Sequence, residues 1–243
     1  MYKIDHLSVS QVSTFSRCEF QWYLKYVEKL SYPINSALIR GNAIHSGLSL
    51  IYQQKKESGK FNPDNVLDAA IELVNKADET EEVIWDTDKD TIRSVSVNAL
   101  NQYMESGITT KIKPYQIMQI EKKLEITIYT PDGDAVKIVG IPDLVLTDKV
   151  IDFKTKSRKP SGIDTDFKFQ TAFYTTVTNK PEIQIQYLIC KKQPETVVMD
   201  IGSDDSIRKM SRLIFIKTYN KIKGALTSGN FLRVFRLISL MIC

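Results

Sequence analysis

Asp152 and Lys154 stand in an otherwise apolar stretch, Val150-Ile151-Asp152-Phe153-Lys154. Residues two apart on a strand project from the same face, so a carboxylate and an ammonium would lie side by side there. Burying such charges is costly unless partners or metals compensate. The plain alternative is an ion pair on a solvent-facing strand edge, where such pairs are common and contribute little. Asp143 adds a second acid. It lies in Gly140-Ile141-Pro142-Asp143, ahead of the apolar run Leu144-Val145-Leu146. A turn at Thr147-Asp148-Lys149 folds this run back on the Asp152 strand, and register counting around the turn places Asp143 near Asp152 or Lys154. Two acids and a lysine on one patch can serve a hard divalent cation, which binds one or two carboxylates together with waters and phosphate oxygens. A cation held there lowers the pKa of bound water and stabilises charge developing on a phosphate, while a lysine can orient the attacking water. That is a minimal kit for phosphodiester hydrolysis.

The elements that must hold these residues can be read from periodicity and stop signals. Residues 1–110 read mainly as helices, over about 11–27, 37–57, 64–77 and 88–106. Ser8 and Ser10 offer capping oxygens to the first, in which Phe15, Cys18, Trp22 and Tyr26 fall at helical spacing. Ser58-Gly59 stops the second. Residues 115–129, 135–147 and 149–155 read as three β runs, the first two separated by the turn signal Pro131-Asp132-Gly133. A helix over about 165–178, strands over 183–190 and 195–201, and a helix from Ser203 to about 226 complete the order. The expectation is an α/β fold with one mixed central sheet flanked by helices. The chain reads as a single domain over 1–243: a helical part to 110, a core over 111–202 and a C-terminal helix and tail over 203–243.

The motifs resemble those of the PD-(D/E)XK nucleases, and more specifically their RecB-like branch, which includes RecB, AddB and the CRISPR-associated RecB-like exonucleases. Gly140-x-x-Asp143 followed by Val150-Ile151-Asp152-Phe153-Lys154-Thr155 carries the core of the likeness. Gly41-Asn42-Ala43-Ile44-His45 is similar to the branch's Gly-x-x-x-His motif, and Gln170-Thr171-Ala172-Phe173-Tyr174 to its Gln-x-x-x-Tyr motif. The stretch from Ser8 through Cys18 to Tyr26 is similar to its N-terminal helix. The likeness covers about residues 8–190. It implies a restriction-endonuclease-like core and a Mg²⁺- or Mn²⁺-dependent deoxyribonuclease, an exonuclease working on single strands or DNA ends in recombination, repair or phage DNA metabolism.

The same likeness implies His45, Asp143 and Asp152 as metal ligands, aided by the Phe153 carbonyl, with Lys154 positioning the attacking water. Gln170 and Tyr174, four apart on one helix face, could touch the DNA backbone or the acidic patch. Glu121 lies near where related nucleases carry an acid and is given a supporting place only. Gly41 would let its helix approach another backbone closely. Lys156, Arg158 and Lys159 form a basic stretch beside the site, with Lys168 ahead of Gln170; it reads equally as a phosphate-holding loop and as a solvated one. Trp22 and Tyr23 could stack on bases, though aromatics at this spacing more often pack in a core.

The chain departs from the family at its cysteines. Many relatives hold a 4Fe-4S cluster with one cysteine in the N-terminal helix and three near the C-terminus. Cys18 occupies the matching first position, but after Gly229-Asn230-Phe231 only Cys243 follows, and Cys190 is the remaining cysteine. A standard cluster needs four thiolates, so none is expected. Either this member lacks the cluster or the chain is truncated or altered after Phe231.

The bulk numbers fit this reading. The net charge is +4 over 243 residues, which permits a nucleic-acid partner without arguing for one. No apolar run is long enough to span a bilayer and no leader pattern appears, so the expected location is cytoplasmic, with no membrane partner. No GxxxxGK[ST] motif occurs, so a helicase or recombination partner would be another polypeptide. The rival reading is an inactive DNA-binding or scaffolding module on a nuclease fold.

Overall fold

The computed structural model describes residues 4–80, 82–202 and 205–229. The expected tail after Phe231, with Cys243, lies outside the described residues. The elements run β1 (Leu7–Ser8), α1 (Val9–Arg17), α2 (Glu19–Tyr26), β2 (Ile34–Asn35), α3 (Ser36–Ser58), α4 (Pro63–Thr80), β3 (Val83–Ile84), α5 (Lys89–Glu105) and α6 (Ile108–Lys111). After a 3-10 turn at Pro114–Gln116 come β4 (Ile117–Ile120), β5 (Leu124–Tyr129), β6 (Ala135–Gly140), β7 (Leu144–Leu146) and β8 (Lys149–Lys156). The last elements are α7 (Thr165–Thr178), β9 (Glu182–Ile189), β10 (Glu195–Gly202) and α8 (Asp205–Ser228).

The long helices begin and end where local chemistry dictates. The Asn35 side chain accepts the Leu38 N–H at 3.0 Å and opens α3. Gly59, at φ 79°, closes it in the left-handed region that a glycine enters at no steric cost. Asp88 caps α5 by accepting the Thr91 N–H at 2.8 Å. Among the described residues no helix is long and apolar enough to cross a membrane.

A five-stranded sheet in the order β10-β9-β8-β7-β4 forms the centre, with β8 and β9 parallel and the other neighbours antiparallel. One face packs on α3, α4 and α5 through Ile44, Leu48, Tyr52, Tyr103, Ile151 and Phe153. The other packs on α7, α8 and the N-terminal helices through Val145, Val150, Phe173 and Phe215. This is the mixed sheet flanked by helices that the sequence predicts, accompanied by a three-stranded sheet β1-β6-β5 and a β2-β3 pair.

Three expected elements differ. The helix expected over 11–27 is two helices, because Cys18 leaves the helical region (φ −157°, ψ 111°). Its thiol accepts the Gln21 N–H at 3.4 Å and starts α2 as a cap, and Cys18 itself is exposed. The runs expected over 115–129 and 135–147 are each two strands divided between two sheets. β5 pairs with β6 and β4 with β7, and the register is the same on both sides of the break: Leu124 faces Gly140 and Ile120 faces Leu144. The ladder therefore kinks as a unit at Glu121–Lys123 and Ile141–Asp143. Pro142 has no N–H to give to a ladder, and Glu121 turns the opposing chain at φ 45°.

Candidate active site

The β7–β8 hairpin pairs Leu144 with Ile151 and Val145 with Val150, which puts Asp143 across from Asp152. Asp143 sits just past the kink and reaches over the hairpin. Its Oδ2 accepts the Phe153 N–H at 2.6 Å, and its Oδ1 lies 3.5 Å from His45 Nδ1. His45 comes from α3, which lies close to β8 because Gly41 carries no side chain. A Cβ there would stand 3.3 Å from Thr155 Oγ1. The approach expected for Gly41 is thus real, but it is made to a side chain and not to a backbone. His45 follows one turn later and meets the Phe153 ring edge-on.

Asp152 is not on a solvent-facing edge. It is 2% exposed, on the middle strand of the sheet. Its Oδ2 pairs with Lys154 Nζ at 2.5 Å and its Oδ1 accepts from Gln170 Nε2 at 3.2 Å. Gln170 also donates to the Tyr174 hydroxyl at 2.9 Å, which donates to the Ile141 carbonyl at 2.8 Å. Helix α7 can sit this close only because residue 140 is glycine: a Cβ there would lie 2.3 Å from Phe173 Cε1. Phe167, one turn before Gln170, places its ring 4.9 Å from the Lys154 ammonium.

Charge is crowded here. Burial pushes the Asp152 carboxyl above the ordinary carboxylate range. The negative charge of Asp143 adds to the rise, and Lys154 and His45 oppose it. Burial alone would lower the His45 imidazole, but its hydrogen bond to Asp143 and the surrounding carboxylate charge outweigh that and raise it. Burial and the nearby Asp152 charge hold the Tyr174 phenol above its usual range. The buried acid next to a second acid is an arrangement that a divalent cation would relieve.

Among the described residues no three His, Cys, Asp or Glu side chains are gathered into a ready metal cage. The donor set still suits a hard cation that keeps several waters and takes one or two carboxylates plus substrate oxygens. Asp143 and Asp152 carry carboxylate oxygens for such a cation and His45 a nitrogen.

The structure thus brings His45, Asp143, Asp152, Phe153, Lys154, Gln170 and Tyr174 together. Glu121 stands beside them: its N–H donates to the Asp143 carbonyl at 3.0 Å and its Oε2 accepts from Ser49 Oγ at 3.1 Å. It shares with His45 an open cleft of about 600 Å³. A second cleft of about 640 Å³ on the α1–α7 side is lined by Arg17, Lys123, Phe167, Gln170 and Tyr174. Lys156 lies on the same face as Lys154 but is paired with Asp164 at 2.5 Å. Trp22 is fully buried, so it packs and does not stack on bases. Sequence reasoning missed Phe167, although its position three residues before Gln170 is a legible signal. It also missed Ser49 and Arg17, for which no local signal exists.

The comparisons with known proteins bear on the fold and the family. No curated protein sequence matches the chain. A crystal structure of a candidate exonuclease from Eubacterium rectale superposes with a TM-score of 0.63 at 14% identity, over 93% of this chain and 82% of that one. At that identity the likeness shows the fold alone. A phage-related exonuclease from Haemophilus somnus 129PT (TM-score 0.38, 13% identity, 83% and 98% covered) and an alkaline exonuclease from Laribacter hongkongensis (0.32, 9%, 82% and 94%) are too different in shape to carry an argument. The family model for the PD-(D/E)XK nuclease superfamily matches residues 6–222. The acids and lysine of the β7–β8 hairpin lie within that span, and the chain belongs to the PD-(D/E)XK nuclease superfamily.

Proposed function

We propose that the protein is a Mg²⁺- or Mn²⁺-dependent deoxyribonuclease of the RecB-like branch. It would act as an exonuclease on single strands or DNA ends, in recombination, repair or phage DNA metabolism. The observation that carries this reading is the convergence of Asp143, Asp152 and Lys154 of the β7–β8 hairpin with His45 of α3, with Asp152 buried. Asp143, Asp152, His45 and the Phe153 carbonyl would hold the cation. Bound there, a divalent cation supplies charge to the phosphate and acidity to a water. Lys154 holds the attacking water in line through its N–H donors. The water oxygen bonds to phosphorus and gives up one proton to solvent, the ester P–O bond breaks, and the departing oxygen takes a proton from solvent. Gln170 fixes the Asp152 carboxylate, Tyr174 fixes Gln170, and Glu121 and Lys156 support the substrate from the two sides. A helicase or recombination partner would be a separate polypeptide.

DNA hydrolysis should require added divalent metal and stop on its removal by chelator. The Asp152→Ala, Lys154→Ala double variant should be inactive, and full activity in it would end this reading. One observation favours a second reading, an inactive DNA-binding or scaffolding module: both Asp152 oxygens are engaged by the chain's own side chains, Lys154 and Gln170. Calorimetric titration with Mn²⁺ separates the two, since the module should take up none.

A further inference from the structure

Strand β8 continues past Lys154 to Lys156 and leaves the sheet into the loop 157–164. This loop, Thr155 and Arg40 of α3 line an open cleft of about 560 Å³. Arg40, Lys156, Arg158 and Lys159 face it with a single carboxylate, Asp164, which Lys156 already neutralises at 2.5 Å. Among the described residues Arg40, Arg158 and Lys159 form no close ion pair, although Arg40 helps to lower the Asp86 carboxyl and Lys159 that of Glu195. Arg40 is half-buried, and its Nε is a buried donor without a hydrogen-bond partner. An unmet donor of this kind costs about 1–3 kcal/mol unless something accepts from it. Serine hydroxyls at 157 and 161 line the same cleft. A forked guanidinium, two exposed loop cations and hydroxyl donors together match a phosphate oxyanion. Arg40 precedes Gly41, the residue that lets α3 close on Thr155, and Thr155 lines this cleft too.

Position narrows the ligand. Lys154 and Lys156 are two strand residues apart on one face, about 6.6 Å, so the cleft opens directly beyond the reaction centre. It is open to solvent along the loop, which suits a chain passing through and not a chain end. We infer that Arg40, Arg158 and Lys159 hold a phosphodiester group next to the one that reacts, so that the substrate strand runs along the C-terminal end of β8. This rests on the nuclease reading and gives that site a direction for its substrate.

The test uses the full chain with Arg40→Ala, Arg40→Lys and an Arg158→Glu, Lys159→Glu double variant, which alters only exposed loop residues. Fluorescent oligothymidylate without terminal phosphates is the binding probe, titrated with Ca²⁺ over a range of salt. Hydrolysis of bis(4-nitrophenyl) phosphate with Mn²⁺ reports on the reaction centre alone. Arg40→Ala should weaken binding about ten- to hundredfold, as loss of a charge-assisted bond implies, and lower the log–log salt slope by about 0.7 for the lost phosphate contact. Arg40→Lys should restore the slope but only part of the affinity. The double variant should raise KM on the oligonucleotide far more than on the small ester. Equal losses on both substrates would overturn the inference, as would unaltered binding and slope in variants of a protein that does cleave DNA. An effect seen only on oligonucleotides with a terminal phosphate would overturn it too. A wild-type protein that neither binds oligothymidylate nor hydrolyses either substrate fails the nuclease reading itself, and this inference with it.

Discussion

The two faces of β8 are built from opposite materials. One carries Asp152, Lys154 and Lys156 against Gln170, Phe167 and Asp164. The other carries Ile151 and Phe153 against α3 and α5, where the Phe153 ring stacks on Tyr52 at 5.9 Å and meets Tyr103 edge-on at 6.1 Å. Phe153 belongs to both, since its ring lies on the aromatic side while its N–H holds Asp143. The difference teaches a division of labour. The aromatic face contributes burial and a fixed strand position, and the charged face spends some of that stability on a desolvated acid. A buried carboxylate with a raised pKa can persist because the opposite side of the same backbone is packed so well.

Variants that remove one face while sparing the other put this division at risk. The largest expected effect is on the aromatic side: Phe153→Ala should cost about 3–5 kcal/mol in denaturant unfolding, with activity lost only as the fold is lost. A stable but inactive Phe153→Ala protein would mean that the ring is not a packing element. Asp152→Asn should give the reverse signature. Hydrolysis should fall at least about 100-fold, while unfolding free energy moves by about 1 kcal/mol or less, because the loss of the Lys154 pair is offset by relief of the buried charge. Divalent metal should raise the melting temperature of the wild type and not of this variant. The smallest effect on activity is expected for Gly140→Ala, where the added methyl collides with Phe173 and overpacking costs about 1–3 kcal/mol of stability. Activity should fall with it, since the displaced α7 carries Gln170 and Tyr174. A crystal structure of this variant with α7 unmoved would show that the close approach does not position the site.

Much of the charged face was legible in the sequence. Alternation alone puts Asp152 and Lys154 on one side, and a single turn at 147–149 returns Asp143 to them. Helices α3, α4, α5 and α7 were legible from their periodicity, and the end of α3 from Ser58-Gly59. What was hidden depends on partners far away in the chain. Residues 115–129 keep alternating straight through Glu121, so nothing local reveals that β4 and β5 join different sheets. Helical spacing likewise runs through Cys18, although its backbone leaves the helix. The exposure of Cys18 could not be read either, because the buried face is set by Phe15 and Trp22 packing together. Arg40 looks like any helix-surface arginine until the loop after β8 folds against it.

The kinked ladder has a consequence for how the chain can change in length. Because the β4–β7 pairing from Gln119 onward and the β5–β6 pairing share one register through the bend, the paired arms act as a ruler that sets where Asp143 falls. The tip of the ruler is the turn at Thr130–Asp134, closed by the Thr130 N–H to the Asp134 carbonyl and by Gly133 at φ 86°. Residues gained or lost at that tip leave the ruler's marks where they are. A single residue inserted in one arm, between 135 and 141, would slip every mark by one and turn each side chain to the other face. Asp143 would then miss the Phe153 N–H while the strands still paired. Insertions in descendants of this chain should therefore collect at the tip, and the arms should keep their lengths even where their side chains drift.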